Sequence, residues 1–276
     1  MVNLFGGSGF VGSSIKERIE CIANDRNDLV PKLASGVTDI LYLISTIDNY
    51  NVKNNPHIDI DTNLTTLIRV LENFRHMGRY DVVFNFASSW FVYGDTDLPA
   101  NEDSYCNPKG FYSITKRAAE QLLVSYCETY NLKYRILRFA NVLGPNDKKV
   151  SKKKNALTFL INEIKAGNPI NLYDNGNFYR DYIHVADLCY AVKLVMSKGK
   201  CNEVYNIGNG EKILFKDVIE YAIKKSSSTS PIYTIEQPDF HKLTQVKSMY
   251  MDNYKIRSLG YSPLFTIRTI VDQLLQ

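Results

Sequence analysis

Val2-Asn-Leu-Phe5-Gly6-Gly-Ser-Gly9-Phe10-Val11-Gly12 sets the architecture. Val2–Phe5 has the composition of a short buried strand. Residues 10–19 then place Val11, Ile15 and Ile19 on one helical face. Between them stands a Gly-x-x-Gly-x-x-Gly turn. Gly6 allows the tight turn, Gly9 lets the backbone approach a pyrophosphate, and Gly12 lets the helix pack closely on its strand. The helix N-terminus adds amide donors and a field that favours an anion. A merely flexible turn would not need both flanks, so the spacing predicts a dinucleotide site made by Gly6, Gly9, Phe10, Val11 and Gly12.

The same alternation continues downstream. A weaker strand lies near residues 21–23, and residues 39–45 form a continuous apolar run, as a strand covered on both faces does. Residues 63–74 are amphipathic, with Leu64, Leu67, Ile68, Leu71 and Phe74 on the apolar side. Residues 82–88 and 134–139 read as further strands, and 112–130 as a long helix. Strand alternating with helix predicts an α/β fold, a doubly wound parallel sheet of the Rossmann type. The texture changes after Gly144-Pro145: a lysine-rich loop, then a helix over 156–166, then short elements to Gln276. The expected division is a dinucleotide-binding domain over 1–145 and a smaller substrate-binding lobe over 146–276. Some of the later segments should return to the sheet.

The chain has 276 residues, 45% of them hydrophobic, which is enough for one large core or two modest ones. A net charge of +4 does not suggest a nucleic-acid face. The five cysteines, Cys21, Cys106, Cys127, Cys189 and Cys201, include no Cys-x-x-Cys pair. This points to reduced thiols and away from a disulfide framework or a zinc site. The four histidines have no metal-ligand spacing. The opening residues leave no room for a leader peptide, and no apolar run is long enough to span a bilayer, so a soluble cytoplasmic protein is expected.

Tyr112-Ser-Ile-Thr-Lys116 carries the chemistry. Residues four apart share a helix face, so the phenol and the ammonium project together. An ammonium nearby favours the phenolate and brings a group of pKa about 10 toward acid/base use near neutrality. An amphipathic helix with a solvated lysine would show the same spacing. Upstream, the strand ending in Ser88-Ser89-Trp90-Phe91-Val92-Tyr93-Gly94 puts a hydroxyl at the C-terminal edge of a parallel sheet, where such sheets bind ligands.

These motifs, in this order, resemble the extended short-chain dehydrogenase/reductase family, and within it the nucleotide-sugar epimerases, dehydratases and reductases. Asp61-Thr-Asn63, Leu137-Arg-Phe-Ala-Asn141-Val-Leu-Gly-Pro145, Arg180-Asp-Tyr-Ile-His-Val-Ala-Asp187 and Val204-Tyr-Asn-Ile-Gly208 extend the resemblance over nearly the whole chain. It implies NAD or NADP as cofactor and a nucleotide-diphosphate sugar as substrate. Tyr112 would be the acid/base, Ser89 (rather than Ser88) the catalytic hydroxyl, and Lys116 the partner of Tyr112 and of the nicotinamide ribose. Ser45 and Asn63 would join the cofactor set, although Asn63 could equally be a helix N-cap. Asn141 would contact the substrate and Arg180 its diphosphate, where a rigid guanidinium fork suits paired phosphate oxygens. The alternative for Arg180 is a salt bridge to Asp181 or Asp187. The resemblance also implies a homodimer built on the helices near Asn63 and Tyr112, with Leu64, Leu71, Leu122 and Leu123 as contacts or as core.

Several departures matter. Trp90-Phe91 stands where the dehydratases carry acidic residues, so elimination of water is not expected. The ribose-binding position falls early, on Asp25 (favouring NAD) or Arg26 (favouring NADP). The second diphosphate cation of the family has no exact match, and Lys242 is nearest. Lys148, Lys149, Lys152, Lys153 and Lys154 read as a solvated loop with weak anion steering. Trp90 and Phe91 are core or pocket residues. The expected activity is epimerisation of a sugar carbinol at C4, with a 4-ketosugar reductase, or a cofactor-binding protein without turnover, as alternatives.

Overall fold

The computed structural model describes residues 1–47, 49–147, 151 and 155–276. The five lysines of the loop at 148–154 therefore lie outside the described residues.

The glycine-flanked unit forms as expected, with strand β1 (Val2–Phe5) entering helix α1 (Phe10–Arg18). Then come β2 (Cys21–Ala23), β3 (Asp39–Tyr42), two short helices α2 (Asn51–Asn54) and α3 (His57–Ile60), a π-helical turn Asp61–Thr65 and α4 (Thr66–His76). β4 (Val83–Ser89), α5 (Phe111–Thr129), β5 (Lys133–Phe139) and β6 (Asn141–Leu143) follow. The later half contributes α6 (Ala156–Lys165), β7 (Ile170–Tyr173), β8 (Tyr179–Arg180), β9 (Tyr182–His184), α7 (Val185–Lys198) and β10 (Glu203–Ile207). It closes with β11 (Ile213–Leu214), α8 (Phe215–Ser226), β12 (Ile232–Ile235), α9 (Asp239–Thr244), α10 (Tyr254–Ser258) and α11 (Ile267–Leu275).

Six strands form one parallel sheet in the order β10-β5-β4-β3-β1-β2. β1 and β3 are neighbours, yet the chain leaves β1 for β2 before returning to β3. This reversal opens a crevice at the carboxyl ends of β1 and β3, the usual ligand site of such sheets. Helices cover both faces. Ile15 and Ile19 from the α1 side join Leu188, Val192 and Val195 of α7 on one face. Leu67, Leu71 and Phe74 of α4 join Ala119 and Leu123 of α5 on the other. Each fully buried side chain of this size contributes about 1.5–3 kcal/mol by leaving water. β10 lies beyond residue 145 but pairs with β5, Val204 opposite Ile136, and forms an outer strand of the sheet. α6, α8 and α11 pack around a separate core containing Ile161, Ile219 and Ile270.

Two features depart from the regular pattern. Residues 24–38 connect β2 to β3 without a helix. Leu29 and Leu33 pack on the core in place of one. Side chains satisfy the loop's carbonyls: Asn73 donates to Leu29 O at 3.0 Å, Arg79 to Leu33 O at 3.3 Å and Val37 O at 3.2 Å. The second departure concerns the proposed dimer contacts. Leu71 and Leu123 are fully buried in the protomer's own core, because both face the sheet. They cannot serve as interface residues. Leu64 is packed against the same core, whereas Leu122 is 41% exposed.

Candidate active site

The glycine turn has the stereochemistry its spacing requires. Gly6 adopts φ +83°, in the left-handed region that glycine tolerates. A Cβ on Gly12 would overlap Gly6 O and stand 2.8 Å from Gly7 Cα. A Cβ on Gly9 would meet nothing closer than Gly6 O at 3.6 Å, so the space outside Gly9 is open to a ligand. No side chain caps α1. Its first-turn N–H groups, those of Phe10 and Val11 among them, therefore face the crevice as an anion cradle. Asp25 and Arg26 are exposed in the turn just after β2, beside the same end of the sheet. These residues fit the pyrophosphate and adenosine ribose of NAD or NADP.

Asn63 is not an N-cap. Helical structure begins at His57, so Asn63 falls inside the run, in the π-helical turn. Its carboxamide is spent on neighbours. Oδ1 accepts from Ser45 Oγ (3.0 Å) and Thr46 N (2.9 Å), and Nδ2 donates to Thr46 Oγ1 (2.8 Å) and Thr115 Oγ1 (3.0 Å). Asn63 thus ties the loop after β3, including Ser45, to helix α5. Thr46 is held in turn by the buried carboxylate of Asp59.

α5 follows Gly110, whose φ of +81° lets the chain pass close to Asn49. Tyr112 and Lys116 lie one turn apart on its buried side. Lys116 is 1% exposed; its Nζ donates to Ala87 O at 2.7 Å and stands 4.1 Å from the Phe86 ring centroid. Burial pushes its pKa down to about 7, partly opposed by the carboxylate of Glu120. The lysine is therefore not the solvated side chain that an ordinary amphipathic helix would carry. Ser89 ends β4, and its Oγ accepts a long hydrogen bond from Phe91 N at 3.4 Å. Ser88, on the opposite side of the strand, is buried.

A cavity of 970 Å³ opens beside Tyr112, which lines it together with Asn141, Arg180 and Lys242. Ser89 does not line it, but the next two residues do. Trp90 and Phe91 play both of the parts that sequence left open. Trp90 is buried in the core, and Phe91 stacks on it at 3.9 Å while meeting the Tyr112 ring edge-on at 5.9 Å. Carboxylates in the wall are Asp95, Glu163 and Asp174; Asp95 is ion-paired with Lys109 and Asp174 with Lys247.

Arg180 makes no salt bridge to Asp181 or Asp187. Asp181 accepts from Gly210 N, and Asp187 from the N–H groups of Leu264 and Phe265. The Arg180 guanidinium instead donates to three carbonyls, Tyr179 O (2.8 Å), Lys247 O (2.7 Å) and Val246 O (3.1 Å). It lies 4.6 Å from the Phe178 ring and 5.6 Å from that of Trp90. Burial lowers its pKa to about 10, which leaves it cationic at neutral pH. Asn141 donates through Nδ2 to Asp181 O at 2.9 Å, which links it to the same strand pair. Lys242 is at the rim and already paired, with Glu236 at 3.1 Å and Asp239 at 3.3 Å.

The sequence reading missed the other side of the rim. Tyr50 meets Phe240 at 5.2 Å and His241 at 5.5 Å, and Lys53 stands 4.2 Å over the Phe240 ring. These residues come from the start of α2 and from α9, about 190 positions apart, so no local spacing could announce them. Among the described residues no cluster could hold a metal ion, and no helix is long and apolar enough to cross a membrane.

Residues 2–208 match the model of the NAD dependent epimerase/dehydratase family. A putative UDP-glucose 4-epimerase of Methanocaldococcus jannaschii is 26% identical, across 95% of this chain and 93% of its own length. A dTDP-4-dehydro-6-deoxyglucose reductase of Escherichia coli is 23% identical, across 100% and 96%. The crystal structure of the Thermus thermophilus UDP-glucose 4-epimerase in complex with NAD superposes with a TM-score of 0.82, at 22% identity over 99% of this chain and 98% of that one.

Proposed function

Because the chain belongs to the NAD dependent epimerase/dehydratase family, we propose that this NAD(P)-dependent enzyme is a nucleotide-sugar epimerase acting at a C4 carbinol. The observation that carries the reading is the placement of Tyr112. It lies one helical turn from a buried lysine and opens on a cavity that also presents Arg180. In this reading Tyr112 takes the proton of the sugar hydroxyl and later returns it, while Lys116 favours the phenolate. Ser89 offers a hydroxyl to the same oxygen. The bound NAD or NADP supplies the acceptor and donor of hydride. Phe91 provides an apolar wall beside Tyr112, and the substitution of Trp90-Phe91 for acidic residues removes an acid/base pair for dehydration. Assembly as a homodimer through the outer faces of α4 and α5 belongs to the same proposal, with Leu122 left to supply contact.

A 4-ketosugar reductase would use the same residues in one direction, a reading favoured by the full-length likeness to the E. coli reductase. The nucleotide released on denaturing the purified protein separates the two. Retained NAD, with conversion of added UDP-sugar to its C4 epimer, is the expected outcome. An exchangeable NADPH site, with no epimer formed from UDP- or dTDP-sugars, would remove the epimerase.

Arg180 is proposed to hold the diphosphate. Its carbonyl contacts fix the guanidinium, so little side-chain freedom is left to lose on binding. Removing one side of a buried charged contact typically costs about 2–5 kcal/mol, roughly 30-fold or more in affinity. Arg180→Ala is expected to weaken UDP binding by that factor in a calorimetric titration while NAD(P) affinity stays nearly unchanged. UDP binding equal to that of the unaltered protein would leave Arg180 as a clamp for the 246–247 backbone alone.

A further inference from the structure

We propose that Glu120 is a positioning residue for the acid/base pair: its carboxylate, fixed by Arg138 one helical turn beyond Lys116, keeps that buried ammonium charged beneath Tyr112. The inference rests on the reading of Tyr112 and Lys116 as the reacting pair. Glu120 is 1% exposed and Arg138 2%, so neither charge serves solubility. Arg138 on β5 grips Glu120 with a fork, Nε to Oε1 at 3.0 Å and Nη2 to Oε2 at 2.9 Å. Arg117 adds a third contact at 2.8 Å.

A buried ion pair of this kind is a poor source of stability, because desolvating two charges consumes most of their attraction. Its position explains it better. Lys116 and Glu120 are four apart on α5, which places their side chains on one face, Glu120 on the C-terminal side. The groups around Lys116 are few. α5 brings Tyr112 and Glu120, and behind Glu120 stand Arg117 of α5 and Arg138 of β5. β4 brings the Ala87 carbonyl and the Phe86 ring, both neutral. The π-helical turn brings the neutral Asn63 through Thr115. Of these, Glu120 is the carboxylate that opposes the cost of burying the ammonium. Arg138 also fixes where that carboxylate points, and its guanidinium lies 4.7 Å from the Tyr93 ring, in the loop that leads from β4 toward α5.

The two halves of the ion pair should therefore act on Lys116 with opposite sign. Removing the Glu120 charge takes away the carboxylate that opposes the burial of Lys116, which disfavours the ammonium. Removing the Arg138 charge leaves Arg117 as the guanidinium still on Glu120, so more of the carboxylate's field falls on Lys116, which favours the ammonium. The test is the titration of the Lys116 side chain, followed by NMR of protein labelled with ¹³C-lysine, with Lys116→Arg identifying the Cε resonance. Its midpoint in the unaltered protein should lie near 7. Glu120→Gln should lower it by about one pH unit, the lower end of the effect of losing a neighbouring opposite charge. Arg138→Gln should raise it. A purely structural pair would destabilise the protein from either side without moving the midpoint in opposite directions; midpoints that stay put or move together overturn the proposal. Should either Gln variant fail to fold, Glu120→Asp keeps the charge but withdraws it by one methylene, and an unmoved Lys116 there also overturns it. The titration needs no substrate, so an enzyme inactive on nucleotide sugars would remove the proposed activity and leave this result readable.

Discussion

Tyr112→Phe will fold, bind NAD(P) and turn over about 10²–10⁴-fold more slowly than the unaltered protein, the usual cost of removing a positioned acid/base. The substitution deletes one oxygen and keeps the ring. The edge-on contact with Phe91 at 5.9 Å survives, as does the bond from Thr115 Oγ1 to the Tyr112 carbonyl at 3.0 Å. Helix α5 therefore has no reason to move, and Lys116 stays on Ala87 O. Steady-state rates beside circular dichroism and a cofactor titration separate chemistry from folding. A Phe variant with near-normal turnover would mean that the proton leaves by another group, and the proposed mechanism would be wrong.

The second large effect is expected at the glycine turn, where two neighbouring positions should fail differently. Gly12→Ala places a methyl group onto Gly6 O and 2.8 Å from Gly7 Cα, atoms of backbone that cannot rotate away. Either α1 lifts from β1 or the turn opens. Overpacking of this kind costs about 1–3 kcal/mol or more, so the melting temperature should fall. Displacing the amide cradle by that energy lowers NAD(P) affinity by roughly 10–100-fold. Gly9→Ala has φ −78° and free space, so it should fold with unchanged stability. Its methyl group instead enters the room left for the pyrophosphate, and affinity alone should drop. Thermal melts and calorimetry on both variants give the comparison. If Gly9→Ala bound NAD(P) as tightly as the unaltered protein, the phosphate would lie elsewhere.

Features that depend on neighbours within a few positions were legible in the amino-acid order. The turn at Gly6, the close packing at Gly12 and the one-turn spacing of Tyr112 and Lys116 follow from glycine stereochemistry and the helical repeat, which act locally. The buried strand β3 likewise announces itself as an apolar run. Contacts between distant segments followed no such rule. Arg180 is followed directly by an acidic residue, Asp181, yet its guanidinium donates to carbonyls at Val246 and Lys247, because the fold brings that loop against β8 and gives Asp181 to Gly210. Asn63 resembled a cap until Pro56 and His57 started the helix earlier and Ser45, Thr46 and Thr115 took its carboxamide. Leu71, Leu122 and Leu123 are alike as leucines on the two candidate contact helices, but helix orientation against the sheet turns Leu71 and Leu123 inward and Leu122 out. Whether Glu120 faces water or Arg138 depended on β5 lying beside β4, a pairing of residues up to 50 positions apart. Local stereochemistry repeats wherever its residues occur; burial and long-range pairing exist only once the whole chain has closed around them.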